Sequence, residues 1–93
     1  MRVDFQDGFD KDHVELYVNG RKRIEAEGVT SRRQLGLALS TELEVPAGTV
    51  EVEIRIPTQN LSKTLSVDTP NLGISIRNGA IEVITSGKRF GYA

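Results

Sequence analysis

The dipeptide Asn-Gly occurs twice in this chain, at Asn19-Gly20 and at Asn78-Gly79, and each pair interrupts a run of alternating apolar and polar residues. Asn-Gly favours the tight type I′ turn that joins two antiparallel strands, because both of its residues tolerate a positive φ. Alternation with a period of two indicates half-buried strands rather than helices. Together these features predict an all-β chain built from hairpins.

The length of 93 residues suits one domain with one hydrophobic core, so we expect a single β-sandwich domain over residues 1–93. Twelve basic and 13 acidic residues nearly cancel, which argues against nucleic-acid binding. The sequence contains no cysteine and therefore has neither disulfides nor thiol-based zinc sites. Its apolar runs are too short for a signal peptide or a membrane span, so we expect a cytoplasmic protein without membrane contacts.

Short runs rich in Val, Ile and Thr, bounded by Gly, Pro, Asn and Asp, predict about eight strands. They fall near residues 2–5, 13–18, 21–26, 35–45, 49–56, 63–68, 72–77 and 80–85. Short strands at regular spacing are typical of two packed sheets. The predicted fold is therefore an antiparallel two-sheet β-sandwich of immunoglobulin-like or related topology.

The hairpin at Asn78-Gly79 is consistent with a two-residue loop. This loop sets Ile76 opposite Ile81 on one face and Ser75 opposite Glu82 on the other, so both strands bury the same face.

The hairpin at Asn19-Gly20 requires a different loop. A two-residue loop would set core positions against solvent positions, whereas a three-residue loop with its glycine in the left-handed region corrects this mismatch. The longer loop places Val14 opposite Ile24 and Glu15 opposite Arg23. We therefore predict a bulged three-residue turn.

The segment around Leu35 has two interpretations. The sequence Ser31-Arg32-Arg33-Gln34 has the form of a helix capping box, and leucines at positions 35, 39 and 43 recur at helical spacing. Leucines at positions 35, 37 and 39 also alternate, and Gly36 would cost roughly 1 kcal/mol inside a helix. We therefore predict a strand over 35–45.

Three carboxylates, Asp7, Asp10 and Asp12, lie on a predicted turn. Calcium prefers oxygen ligands, and acidic loops at the end of a sandwich can supply them. Lys11 lies among these carboxylates, and the spacing differs from an EF-hand loop. An ordinary acidic turn is the competing interpretation, because aspartate side chains bond their own backbone in turns.

A second acidic candidate arises if residues 35–45 pair with residues 49–56 across a loop at residues 46–49. Glu44 then faces Glu51, and Glu42 faces Glu53. Such a ladder of like charges is unfavourable for folding and predicts a docking face for a basic partner or a second cation site. The alternatives are neutralisation by neighbouring arginines, or protection of the sheet from pairing with other chains.

The remaining side chains indicate no catalytic site. His13 is the single histidine, and no nucleophile, orienting group or phosphate-binding loop accompanies it. We therefore predict no catalytic residues and no cofactor, and interpret His13 as a core or edge residue. The parity of Tyr17 predicts an outward-facing side chain, and we expect Phe90, in the terminal segment 88–92, to close the core. A swapped arm or a contact with a partner are the competing interpretations of this segment.

The sequence leaves two functional hypotheses. The first is a non-enzymatic binding or assembly module that contacts a protein partner or another copy of itself, through an exposed sheet edge or the face formed by Glu42, Glu44, Glu51 and Glu53. The second is a calcium-dependent ligand-binding module, for example for carbohydrate, that uses Asp7, Asp10 and Asp12.

Overall fold

The computed structural model describes residues 1–32 and 34–92. This part of the chain forms eight strands and one short 3₁₀ turn at Pro57–Gln59. The strands are β1 (Arg2–Phe5), β2 (Asp12–Val18), β3 (Arg21–Val29), β4 (Leu39–Glu42), β5 (Val50–Ile56), β6 (Leu61–Val67), β7 (Asn71–Arg77) and β8 (Ala80–Ser86).

The strands form two four-stranded sheets with the orders β4-β1-β7-β8 and β3-β2-β5-β6. We call these the first and the second sheet. The predicted all-β, two-sheet architecture is confirmed. The expectation of purely antiparallel pairing is wrong, because β1 runs parallel to β7. The order also differs from that of an immunoglobulin constant domain, in which the first two strands share a sheet.

The core lies between the sheets and consists mainly of branched aliphatic side chains. Along β2 and β5 every second residue is buried, as the alternating sequence pattern requires. Phe5 and Phe9 add the two large aromatic rings of the core and pack edge to face, with centroids 5.7 Å apart. Phe90 is only half-buried and lies outside this core, so the prediction that it closes the core is wrong.

Of the loop lengths predicted for the two Asn-Gly hairpins, one is confirmed and one is wrong. At Asn78-Gly79 the two-residue loop and its register are confirmed, with Ile76 opposite Ile81. At Asn19-Gly20 the predicted three-residue loop is wrong, because the loop again has two residues between Val18 and Arg21. A β-bulge within β3 restores the alternation of faces instead, since the register shifts between Leu16 and Tyr17 of β2.

The predicted strand over 35–45 is also too long. A backbone bridge between Arg32 and Leu37 closes a tight turn in which Gly36 has a φ of +65°. The chain therefore reverses before β4, which has only four residues.

The predicted pairing of residues 35–45 with 49–56 is wrong for a topological reason. The connection after β4 crosses from one sheet to the other, so β4 pairs with β1 while β5 pairs with β2 and β6.

No helix in the described residues is long and apolar enough to cross a membrane.

Candidate functional site

The outer face of the second sheet carries a group of ionisable side chains around His13. In β2 the even-numbered residues are buried, so His13 and Glu15 point outward. The neighbouring strand β3 contributes Glu25 and Glu27 to the same face. We call these four residues the His13 cluster.

The bulge in β3 determines which residues meet in this cluster. Leu16 lies opposite Ile24, whereas the next residue, Tyr17, lies opposite Lys22, so Arg23 is the extra residue of the bulge. Glu15 is thereby paired with Glu25 rather than with the predicted Arg23. Two carboxylates consequently lie directly opposite each other beside the imidazole.

The cluster is compact. Nε2 of His13 lies 3.1 Å from Oε2 of Glu15 and 3.1 Å from Oε2 of Glu25. Nδ1, on the other side of the ring, lies 3.6 Å from Oε1 of Glu27. One ligand atom from each of His13, Glu15 and Glu25 falls within 4.8 Å of the others, a grouping compatible with a single metal ion.

Tyr17 and Lys22 donate hydrogen bonds to carboxylates of the cluster, and Arg55 packs on the Tyr17 ring. The hydroxyl of Tyr17 donates to Oε1 of Glu15 at 3.1 Å, and the Arg55 guanidinium lies 4.6 Å from the centroid of the Tyr17 ring. The Lys22 ammonium donates to Oε1 of Glu25 at 3.3 Å. The outward orientation predicted for Tyr17 is confirmed.

The charges of the cluster are reflected in its protonation equilibria. Desolvation raises the pKa of Glu15, but hydrogen bonds from His13 and Tyr17 and the charge of Lys22 outweigh it, so this pKa lies below its ordinary value. The hydrogen bond to Glu25 raises the pKa of Lys22. Glu15 is therefore ionised and Lys22 protonated at neutral pH.

A second polar group lies on the outer face of the first sheet, around the fully buried Asp4. Ser40 donates to its carboxylate at 2.5 Å, Tyr92 at 2.6 Å and Nε of Arg2 at 3.2 Å. The Tyr92 oxygen accepts a hydrogen bond from Gln6 at 3.0 Å. These contacts attach the terminal segment to β1, so it crosses the face of the first sheet.

The four edge strands in the described residues are β3 and β6 of the second sheet and β4 and β8 of the first. Three of them have features that discourage pairing with another chain. β3 has two register shifts, β4 has only four residues, and β6 carries Lys63 at an inward-facing position opposite Ile54.

The fourth edge, β8, has none of these features in residues 80–86, all of which are described. It pairs with β7 over seven residues without a register shift. It contains no proline, its single charge, Glu82, lies on the outer face, and Ile84 on the same face is 47% exposed. β8 is therefore the least protected sheet edge of the described chain.

The four glutamates predicted to form a docking ladder are not brought together. Glu42 lies on β4 in the first sheet, and Glu44 follows it in the loop. Glu51 and Glu53 lie on β5 in the second sheet, where Glu53 pairs with Arg55 at 3.0 Å. The geometry behind this hypothesis is wrong, although a contact of individual glutamates with a partner remains a prediction.

The three aspartates proposed for calcium do not form a ligand group either. Asp12 is buried, and it accepts hydrogen bonds from Thr58 at 2.5 Å, from Gln59 at 2.9 Å and from the Asp10 amide at 2.9 Å. The Asp7 carboxylate pairs with Arg77 at 3.2 Å. Among the described residues, the single cluster with metal-ligand spacing is that of His13, Glu15 and Glu25.

Sequence reasoning missed the His13 cluster, although part of its signal is visible in the sequence. His13 and Glu15 are two residues apart and therefore share a face of β2. Their meeting with Glu25 depends on the bulge in β3, which the alternating pattern does not locate. Comparison with known proteins adds no further guidance, because no family model, curated protein or solved structure matches the chain.

Proposed function

We propose that this domain is a non-enzymatic assembly module that pairs with a second copy of itself through β8. The observation that carries the proposal is the contrast between β8 and the other edges. A regular strand edge presents a row of backbone donors and acceptors that another strand can complete. Bulges distort this row in β3, β4 is too short to offer a long one, and the inward-facing Lys63 makes strand addition to β6 unfavourable.

The backbone groups that β8 offers follow from its pairing. The carbonyl of Ile74 accepts a hydrogen bond from the N–H of Gln6, and the N–H of Ile76 donates to the carbonyl of Asp7. The backbone groups of these alternate residues of β7 therefore face the β1 side. Gly73 and Ser75 therefore face β8, where they pair with Ile84 and Glu82. The N–H and C=O groups of residues 81, 83 and 85 consequently point away from the sheet.

A second copy fits this edge in an antiparallel arrangement around a two-fold axis. An axis at Ile84 sets Val83 opposite Thr85 of the second copy and brings the two exposed Ile84 side chains together. An axis at Glu82 would oppose two like charges and is disfavoured. The pairing at Ile84 joins the two first sheets into one eight-stranded sheet and covers the exposed isoleucine.

The experiment compares Thr85→Pro with Thr85→Ala in sedimentation equilibrium. Proline removes the outward N–H, which a monomer tolerates at a free edge, whereas alanine removes the same side chain and keeps the N–H. We expect the parent chain and Thr85→Ala to dimerise and Thr85→Pro to remain monomeric. Dispersed amide NMR spectra of each variant would verify that the fold is retained.

Two results would overturn the proposal. The first is a parent chain that remains monomeric at roughly millimolar concentration, where even weak association becomes visible. The second is a folded Thr85→Pro variant that dimerises as strongly as Thr85→Ala, because the contact would then not use the β8 backbone.

A further inference from the structure

We propose that the His13 cluster binds one divalent first-row metal ion of the zinc type, with Nε2 of His13 and one oxygen each of Glu15 and Glu25 as ligands. The cluster lies on the second sheet and β8 on the first, so this inference is independent of the proposed assembly. The spacing of the ligand atoms, their orientation and an imbalance of donors and acceptors support this site.

The spacing matches a small coordination sphere. Tetrahedral zinc with bonds of about 2.1 Å to nitrogen and oxygen requires ligand atoms roughly 3.4 Å apart. Nε2 of His13 lies 3.1 Å from each of the two carboxylate oxygens. Because all three ligand atoms lie within 4.8 Å of one another, small side-chain adjustments would bring them to three of the four positions and leave the fourth for water.

The surrounding groups orient the same atoms toward one point. Tyr17 donates to Oε1 of Glu15, so this carboxylate presents its Oε2 to the imidazole, and the Oε2 of Glu25 faces the same nitrogen. Glu27 faces Nδ1 on the far side of the ring. A carboxylate at one imidazole nitrogen fixes the tautomer whose other nitrogen can bind a metal.

The donors and acceptors at Nε2 are not balanced without a cation. One imidazole nitrogen carries at most one hydrogen, whereas two carboxylate oxygens lie at the same distance from it. A metal ion between the three atoms would satisfy both oxygens and the nitrogen together. The mixed nitrogen and oxygen set favours zinc, nickel or cobalt over calcium and magnesium, which prefer oxygen alone.

Lys22 is the competitor of the metal in this arrangement. Its ammonium lies 3.3 Å from Glu25 and 4.0 Å from Glu15, and the side chain is 40% exposed. Because metal binding would repel this charge toward solvent, Lys22→Gln is expected to bind zinc more tightly than the parent chain does.

The test is calorimetric titration of zinc chloride into the full, untagged chain, together with amide NMR spectra. We expect one ion per chain and shifts concentrated at His13, Glu15 and Glu25. Loss of an outer-shell partner typically weakens metal binding about 10- to 100-fold, so His13→Ala, which loses a ligand, should weaken it about 100-fold or more. Glu25→Gln should weaken it at least about tenfold.

Glu51→Gln is the matched control, because Glu51 is an exposed glutamate of the same sheet outside the cluster. Its zinc affinity should equal that of the parent chain. Glu25→Gln alters an exposed side chain and keeps the test valid even if His13→Ala fails to fold.

The proposal is overturned if zinc at about millimolar concentration produces neither heat nor shifts. It is equally overturned if Glu25→Gln binds zinc as tightly as Glu51→Gln. A parallel calcium titration separates the hypotheses, because shifts at Asp7, Asp10 and Asp12 with calcium, and none at His13 with zinc, would favour the acidic loop.

Discussion

Glu15 lies directly opposite Glu25 in the β2–β3 ladder, and one nitrogen of His13 lies 3.1 Å from an oxygen of each carboxylate. Like charges at directly opposed positions destabilise a strand pair by some tenths of a kcal/mol. Lys22 contacts both carboxylates and offsets part of this repulsion. The fold thus keeps two carboxylates around one imidazole, and a cation bound there would offset the rest of their repulsion.

Gly8 and Gly48 provide a matched pair for testing how closely the loop after β1 approaches β7. Both have a φ of +89°, but a Cβ at Gly8 would lie 2.1 Å from the carbonyl oxygen of Ile76, whereas a Cβ at Gly48 would contact nothing within 4 Å. Gly48→Ala should therefore cost only the conformational penalty of about 1 kcal/mol, and Gly8→Ala about 3 kcal/mol or more.

Urea unfolding of the two glycine variants measures this difference directly. Equal losses of unfolding free energy in Gly8→Ala and Gly48→Ala would contradict the close backbone contact between Gly8 and Ile76.

Asp12 should make the protein sensitive to acid. Burial raises the pKa of this carboxyl, but hydrogen bonds from Thr58, the Asp10 amide and Gln59 outweigh it, so the folded-state pKa lies below the ordinary 3.8. A depressed folded-state pKa gives stability that is present above 3.8 and is lost as the pH falls through the folded-state value.

Asp12→Asn should therefore lower the unfolding free energy at pH 7 by about 2 to 3 kcal/mol and reduce its further loss on acidification. The exposed Asp10→Asn variant is the control, because it keeps the Asp10 amide that donates to Asp12. Denaturant unfolding at neutral and acidic pH measures both. An acid dependence in Asp12→Asn as steep as in the control would exclude this role.

Tyr92 should have the opposite pH signature. Burial, followed by the hydrogen bond to Asp4, raises the pKa of its hydroxyl to about 12. Because the folded-state pKa lies above the ordinary 10.0, the stability from this contact is present below pH 10 and is lost as the pH rises toward 12.

Tyr92→Phe should lower stability at neutral pH by about 1 to 2 kcal/mol, because the buried Asp4 loses one of its donors. Thermal unfolding measures this loss, and tyrosinate absorbance measures ionisation. The ionisation step near pH 12 should be missing from the variant. If that step persists, or if the variant is as stable as the parent chain, Tyr92 is not held on Asp4.

The sequence predicts the strands well because each strand has its own local signal. Val14, Leu16 and Val18 alternate with polar residues, and the Asn78-Gly79 turn determines the register of its hairpin. The alternating pattern of β3 predicts which face each residue lies on. It does not distinguish registers against β2 that differ by two residues. Pairing Glu15 with Arg23 or with Glu25 preserves the same buried face, so the bulge and the His13 cluster could not be located.

The false glutamate ladder has a related cause. Strands that are adjacent in sequence usually pair, and that tendency favours a hairpin between residues 35–45 and 49–56. A crossing between sheets buries the same apolar side chains of β5, so the pattern does not distinguish the two connections. The choice depends on long-range packing of β4 against β1, which leaves no local trace in the sequence.

Lys63 tests whether the edge of β6 is protected by its charge. It occupies an inward-facing position opposite Ile54, yet it is exposed and lies in the middle of a regular strand. Lys63 is the single charged residue of β6. Lys63→Ile removes this charge from the edge, whereas Lys63→Arg preserves it. We expect Lys63→Ile to form assemblies larger than a dimer, because a second unprotected edge adds to that of β8.

Sedimentation velocity of Lys63→Ile and Lys63→Arg at matched concentrations measures the difference. Lys63→Arg should have the same oligomeric state as the parent chain. In the double variant Lys63→Ile with Thr85→Pro, association should use β6 alone and stop at a dimer, since one free edge per copy allows only pairwise contact. If Lys63→Ile has the oligomeric state of Lys63→Arg, the β6 edge is protected by something other than this charge.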